Sequence, residues 1–194
     1  MSESQALSTD VQMGMLQASN PNELVARATE IAKSLADVIK QQKLSTNIQG
    51  NEYVHVEGWT TLAMMCGALP QEISNEATSD GRYIAVVELV RMKDGQVLSR
   101  ASAECGAPDE SYWGVATAKG DKAPEYAKRS MAATRATSKA CRLALSWIMV
   151  MAGYKPTPAE EMAGLTKGEA GTASGTNDPI ITFGKYKGKK YSEV

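Results

Sequence analysis

The stretch EYAKRSMAATRATSKACRLALSWIMVMAGY, Glu125 to Tyr154, contains neither glycine nor proline before Gly153. Pro124 stands where a helix begins and Gly153 where one ends, so the segment predicts one long helix. At about 100° per residue, Lys128, Arg135, Lys139 and Arg142 fall within about 60° of one another. The opposite arc carries Ser130, Ala133, Thr134, Thr137, Ala140, Cys141 and Ala144, then Ile148 and Met151. A face of small side chains lets a helix lie close to a sheet, so this arc is expected to point inward. A stripe of like charges destabilises a helix slightly, and a polyanion is the natural compensation. The competing reading is a solvated helix face.

The 194-residue chain has a formal net charge of −1, so binding to a nucleic acid has to come from charge segregation. Between Asp121 and Lys155 seven cations stand against two acids. The three cysteines, Cys66, Cys105 and Cys141, are far apart with no C-x-x-C pair, which argues against structural zinc and a disulfide framework. The start MSESQALSTD has no basic and then apolar region of a secretory signal, and the longest apolar run is too short to span a bilayer. The expectation is a cytoplasmic protein with no membrane partner.

Residues 1–19 are expected to fray. Asn20 as N-cap, Pro21 at the first helical position and Glu23 as the partner in a capping box open a helix. Its apolar residues, Leu24, Ala28, Ile31, Leu35, Val38 and Ile39, continue to about Gln42. From Leu44 the period changes to two short strands around Gly50-Asn51, with His55 in the second. A short helix, WTTLAMMCGALP, follows and is expected to end at Pro70. Asp80-Gly81 and Asp94-Gly95 then separate β-rich runs, which predicts an antiparallel meander with type I′ turns. Residues 107–122 read as a loop holding Tyr112 and Trp113. The folded domain is placed at 20–155, a Gly/Ala/Thr/Pro linker at 156–179 with one helical turn near Ala159, and a truncated basic module at 180–194. The fold class is α+β: antiparallel hairpins packed by a long basic helix, with an N-terminal helix and a flexible tail.

No G-x-x-x-x-G-K-[ST] phosphate loop, G-x-S-x-G elbow or H-E-x-x-H pair is present, so ATP motors and the common hydrolases are not expected. Asp94 and Asp109 are the nearest starts of a metal nuclease, and neither has a convincing downstream partner. No cofactor and no enzymatic activity are expected. What remains is a sheet, a basic helix and aromatic residues, the ingredients of sequence-tolerant binding to single strands. The stripe of Lys128, Arg135, Lys139 and Arg142 offers phosphate contacts. Arg91, Lys93 and Arg100, in or beside the Asp94-Gly95 hairpin, are candidates to extend it. Tyr112 and Trp113 are candidates for base stacking, with packing against the core as the plain alternative.

The order YVHVEGWTTLAMMCGAL, then RMKDGQ, then AKRSMAATRATSKACRLAL resembles the DNA-annealing domain of Rad fifty-two-type proteins. It is similar as well to phage single-strand annealing proteins of the Red-beta and Erf superfamily. The resemblance covers roughly residues 44–154. It implies a β-β-β-α core, assembly into rings, arcs or filaments, and annealing of complementary single-stranded DNA in recombination and repair without nucleotide hydrolysis. An exonuclease or a single-strand-binding protein is the kind of further partner it implies. By the same resemblance Arg142 is a DNA-contacting cation and Lys128 and Arg129 begin the binding helix, whereas Lys139 rests on the stripe alone. The family's Phe-Gly step after the helix is replaced by SWIMVMAGY. The alternative is a non-enzymatic regulatory or structural oligomer whose basic groove binds RNA or a protein. The helix from Pro21 to Gln42 and the exposed hairpins are the expected contact elements of the annealing ring, arc or filament.

Overall fold

The computed structural model describes residues 16, 18–107, 113–114 and 123–162. The chain begins with helix α1, Pro21–Gln42, where Asn20 Oδ1 accepts the Glu23 amide at 2.9 Å. The reciprocal bond reaches one residue further back than a capping box requires, to the Ser19 amide at 2.8 Å. Ala28, Ala32, Leu35 and Ile39 form its buried stripe, so the apolar face of α1 is used inside the fold. Leu16 and Ala18 are buried as well, which places the start of packed structure before Asn20. The α1 helix ends where Lys43 turns left-handed (φ 55°) and its amide bonds the Ile39 carbonyl.

Strands β1 (Ser45–Ile48) and β2 (Asn51–Val54) make the first hairpin. Its turn is Gln49-Gly50, both at positive φ (52° and 79°), one residue earlier than the composition suggests. His55 is the N-cap of helix α2, Val56–Met65, and not a strand residue. That helix ends at Cys66, followed by left-handed Gly67, so Pro70 does not terminate it. Pro70 lies instead in β3 (Ala68–Ala77), an outer strand that tolerates a missing amide.

Strands β3, β4 (Tyr83–Arg91) and β5 (Val97–Cys105) form the expected antiparallel meander in the order β3-β4-β5. Both connections are longer than two residues, and only their glycines, Gly81 and Gly95, take positive φ. Asp80 and Asp94 therefore do not sit in type I′ turns. Longer loops need one left-handed position, which glycine supplies.

Helix α3, Glu125–Met151, crosses one face of this sheet, and the short helix α4 (Ala159–Met162) follows. The α3 carbonyls of Arg129 and Ala140 accept bonds from Asn75 Nδ2 (3.1 Å) and the Ser99 hydroxyl (2.6 Å). The small residues on that side, Ala132, Ala136 and Ala140, are buried and meet a core of Ala85, Val87, Leu89 and Ala101. Ser138, Cys141, Leu145, Ile148 and Met149 are buried on the other side of the helix, where α1 and α2 pack. Thus α3 is covered on two sides, and the arc expected to face inward is only partly right. Ala140, Cys141 and Ile148 are buried, but Ala133, Thr137 and Ala144 are half-buried on a flank. The β-β-β-α order of an α+β fold is present.

Candidate nucleic-acid interface

The cationic stripe of α3 occupies the flank beside the outer edge of β5. An edge strand presents unpaired backbone groups, and basic side chains are a common means of covering them. Arg135 Nη1 donates to the Glu104 carbonyl at 2.9 Å, and Lys139 Nζ to the Ser102 carbonyl at 3.3 Å. Residues 102 and 104 are two apart, so both carbonyls point to the same side of the strand. Arg142 forms a 2.7 Å ion pair with Glu161, each side chain 28 % exposed. Lys128 is buried at 6 % exposure. Its Cδ lies 3.2 Å from the place a Cβ on Gly106 would take. Arg129 is exposed.

These positions correct the picture of a stripe turned wholly to solvent. Lys128 is enclosed, Arg135 and Lys139 are tethered to carbonyls, and Arg142 is neutralised by an acid. Arg135, Lys139 and Arg142 nonetheless share one flank of the helix, and Lys139 uses one of its three donors in the bond to Ser102.

The hairpin cations divide. Arg91 grips the Asp94 carboxylate through Nε (2.9 Å) and Nη2 (2.7 Å), and also bonds Gln96. That guanidinium holds the Asp94 carboxyl below the usual carboxylate range. Lys93 is exposed in the loop. Arg100 stands opposite Glu88 in the register, 3.6 Å from it. Val87 and Ala101, the neighbouring pair, face the core, so alternation puts Arg100 on the sheet face away from α3. Arg100 therefore does not join the α3 row.

Trp113 is half-buried and packs against the core, which favours the plain reading for it. Tyr112 lies outside the described residues. Exposed aromatic side chains on α3 itself are Tyr126 and Trp147. Beyond Ala140 the sheet-facing side of α3 overhangs the sheet, leaving Leu143, Trp147, Val150 and Met151 exposed at 58 %, 41 %, 53 % and 40 %. Next to them an open groove of about 310 Å³ is lined by Arg142, Leu143, Ser146, Pro156 and Thr157.

The Glu161 partner of Arg142 lies in the stretch whose composition predicts a linker, so composition does not announce it. An acidic pair behind Pro158, in a stretch that follows a basic helix, was the available signal. Pro158 is buried and α4 packs on α3, so residues 156–162 belong to the fold. All three cysteines are buried, and burial pushes the Cys66 thiol up to about 11 and the Cys141 thiol up to about 12. Among the described residues no helix is long and apolar enough to cross a membrane. Comparison with family models, curated proteins and solved structures finds no match to this chain.

Proposed function

We propose that the chain binds single-stranded DNA along α3 and anneals complementary strands without a nucleotide cofactor. The observation that carries this reading is the Arg142 groove, where the last cation of the row meets the exposed Leu143, one helical turn before the exposed Trp147. Sequence-tolerant binding of single strands needs both elements, cations that follow the phosphates and flat surfaces for bases. Arg135, Lys139 and Arg142 supply the first at i, i+4 and i+7, and Leu143 and Trp147 the second. Glu161 competes with phosphate for Arg142, so the strand has to displace an acid there.

A few cations over about three turns give weak binding at physiological salt. Repetition of the site in a ring, arc or filament multiplies avidity without new contacts, and head-to-tail assembly has the required geometry. The apolar face of α1 is occupied, so the overhanging Val150 and Met151 are better contact residues for a second copy. The alternative is a regulatory oligomer whose helix binds a protein, and the same exposed apolar row favours it.

Salt titration of binding to a labelled oligonucleotide separates the two. Arg135→Ala combined with Arg142→Ala weakens binding and flattens its salt dependence, by about 0.7 in log–log slope per lost phosphate contact on a single strand. Trp147→Ala weakens binding by about 1–3 kcal/mol while leaving that slope unchanged. Binding that is absent, or indifferent to salt, favours the protein-binding alternative.

A further inference from the structure

The start of α2 and the segment after α3 meet at three side chains that the annealing reading does not use. His55, Glu57 and Glu160 each offer one donor atom, and these atoms all lie within 4.8 Å of one another. Two of the residues are neighbours on the N-terminal turn of α2, and the third comes from α4, more than a hundred residues later.

Glu160 is the informative one. Its Oε1 accepts the Val56 amide at 2.8 Å, which satisfies one of the donors that the first turn of α2 leaves without an intrahelical partner. Its Oε2 is buried and has no hydrogen-bond partner among the described residues. A buried carboxylate oxygen without a partner is costly, and the second carboxylate, Glu57, adds like charge beside it. A cation relieves both burdens at once, and it leaves the bond from Oε1 to the Val56 amide intact.

His55 has a polar contact that restrains its ring. Its Nε2 lies 2.7 Å from the Thr46 hydroxyl, the kind of outer contact that fixes the ring and tautomer of a metal-bound histidine. With Nε2–H donating to that hydroxyl, Nδ1 carries the lone pair that a metal needs. Donors at about 2.1 Å from a tetrahedral ion stand about 3.4 Å apart. Closing the cluster to that spacing takes a small rotation, which the exposed Glu57 side chain permits.

We infer that His55, Glu57 and Glu160 form a binding site for a divalent first-row metal ion, joining the start of α2 to α4. One imidazole and two carboxylates make a mixed nitrogen and oxygen set, which suits Zn²⁺ better than Ca²⁺ or Mg²⁺. The ion would fix Glu160, and through the adjacent residue Glu161 it would steady the ion pair with Arg142.

The test is calorimetric titration of ZnCl₂ into the full chain after chelator treatment, with thermal unfolding followed in parallel. One equivalent binds per chain and raises the unfolding temperature. Glu57→Gln and His55→Gln each weaken binding by roughly 10–100-fold or more, and Thr46→Ala by a similar factor through loss of ring orientation. Circular dichroism of the metal-free variants confirms that they are folded. If His55→Gln does not fold, Glu57→Gln decides, since its side chain is exposed. No Zn²⁺ binding by the unaltered chain overturns the assignment, and so does binding that survives Glu57→Gln.

Discussion

Gly58→Ala puts the packing of the first half of the fold to a direct test. Gly58 lies in the first turn of α2, where glycine costs about 1 kcal/mol relative to alanine in a helix interior. Its retention there therefore needs a packing reason. A Cβ at Gly58 would stand 2.3 Å from Val54 Cγ1 and 3.5 Å from Ile39 Cγ1. Ordinary contacts begin more than an ångström further out than the first of these. Val54 and Ile39 are both fully buried, and a β-branched side chain has few rotamers into which it can retreat. Overpacking a close-packed core costs about 1–3 kcal/mol. A displacement of this size belongs at the upper end, near 3 kcal/mol. Subtracting about 1 kcal/mol of helix propensity leaves a net loss of about 2 kcal/mol. Urea unfolding measures it directly, provided the slope with denaturant stays unchanged. The double variant Gly58→Ala with Val54→Ala should be less destabilised than the sum of the two single changes, because the smaller residue vacates the contested space. A Gly58→Ala protein as stable as the original, or strictly additive effects, would refute the close meeting of α1, β2 and α2 at this point.

Two further outcomes follow from α3. Ala140 is fully buried and its carbonyl accepts the Ser99 hydroxyl, so Ala140→Leu lowers stability by about 1–3 kcal/mol in the same unfolding assay. A neutral result there would mean that the helix does not lie on the sheet. Glu161→Gln removes the acid from Arg142 and changes stability by no more than about 1 kcal/mol, because the pair is partly exposed. It strengthens binding to single-stranded DNA and steepens the salt dependence by about 0.7 in log–log slope. Unchanged binding would place Arg142 outside the interface.

The elements of this fold were legible because their ends carry local chemistry. Asn20-Pro21, Pro124 and Gly153 act within a few residues of themselves, and glycine-centred turns separate the strands, whereas Pro70 did not mark the end of α2, which falls before Gly67. The turn types were less legible, because loop length decides how many left-handed positions are required, and strand ends shift it. The orientation of α3 was harder still. A helix covered on both sides has no single apolar arc, and Ala132, Ala136, Ser138 and Cys141 carry little hydrophobic contrast. The fate of its cations depends on groups distant in sequence: the carbonyls of Ser102 and Glu104, and the carboxylate of Glu161. A periodic stripe reveals that charges share a flank. It does not reveal that a strand edge and an acid already lie against that flank.

The most direct measurement is strand annealing itself. Two labelled complementary oligonucleotides are mixed with the full chain, without ATP, and duplex formation is followed by energy transfer at several salt concentrations. The account predicts duplex formation faster than the spontaneous rate, weakening as salt rises, and slowed by Arg135→Ala combined with Arg142→Ala. Duplex formation no faster than without protein, at every salt concentration and protein excess, would contradict it.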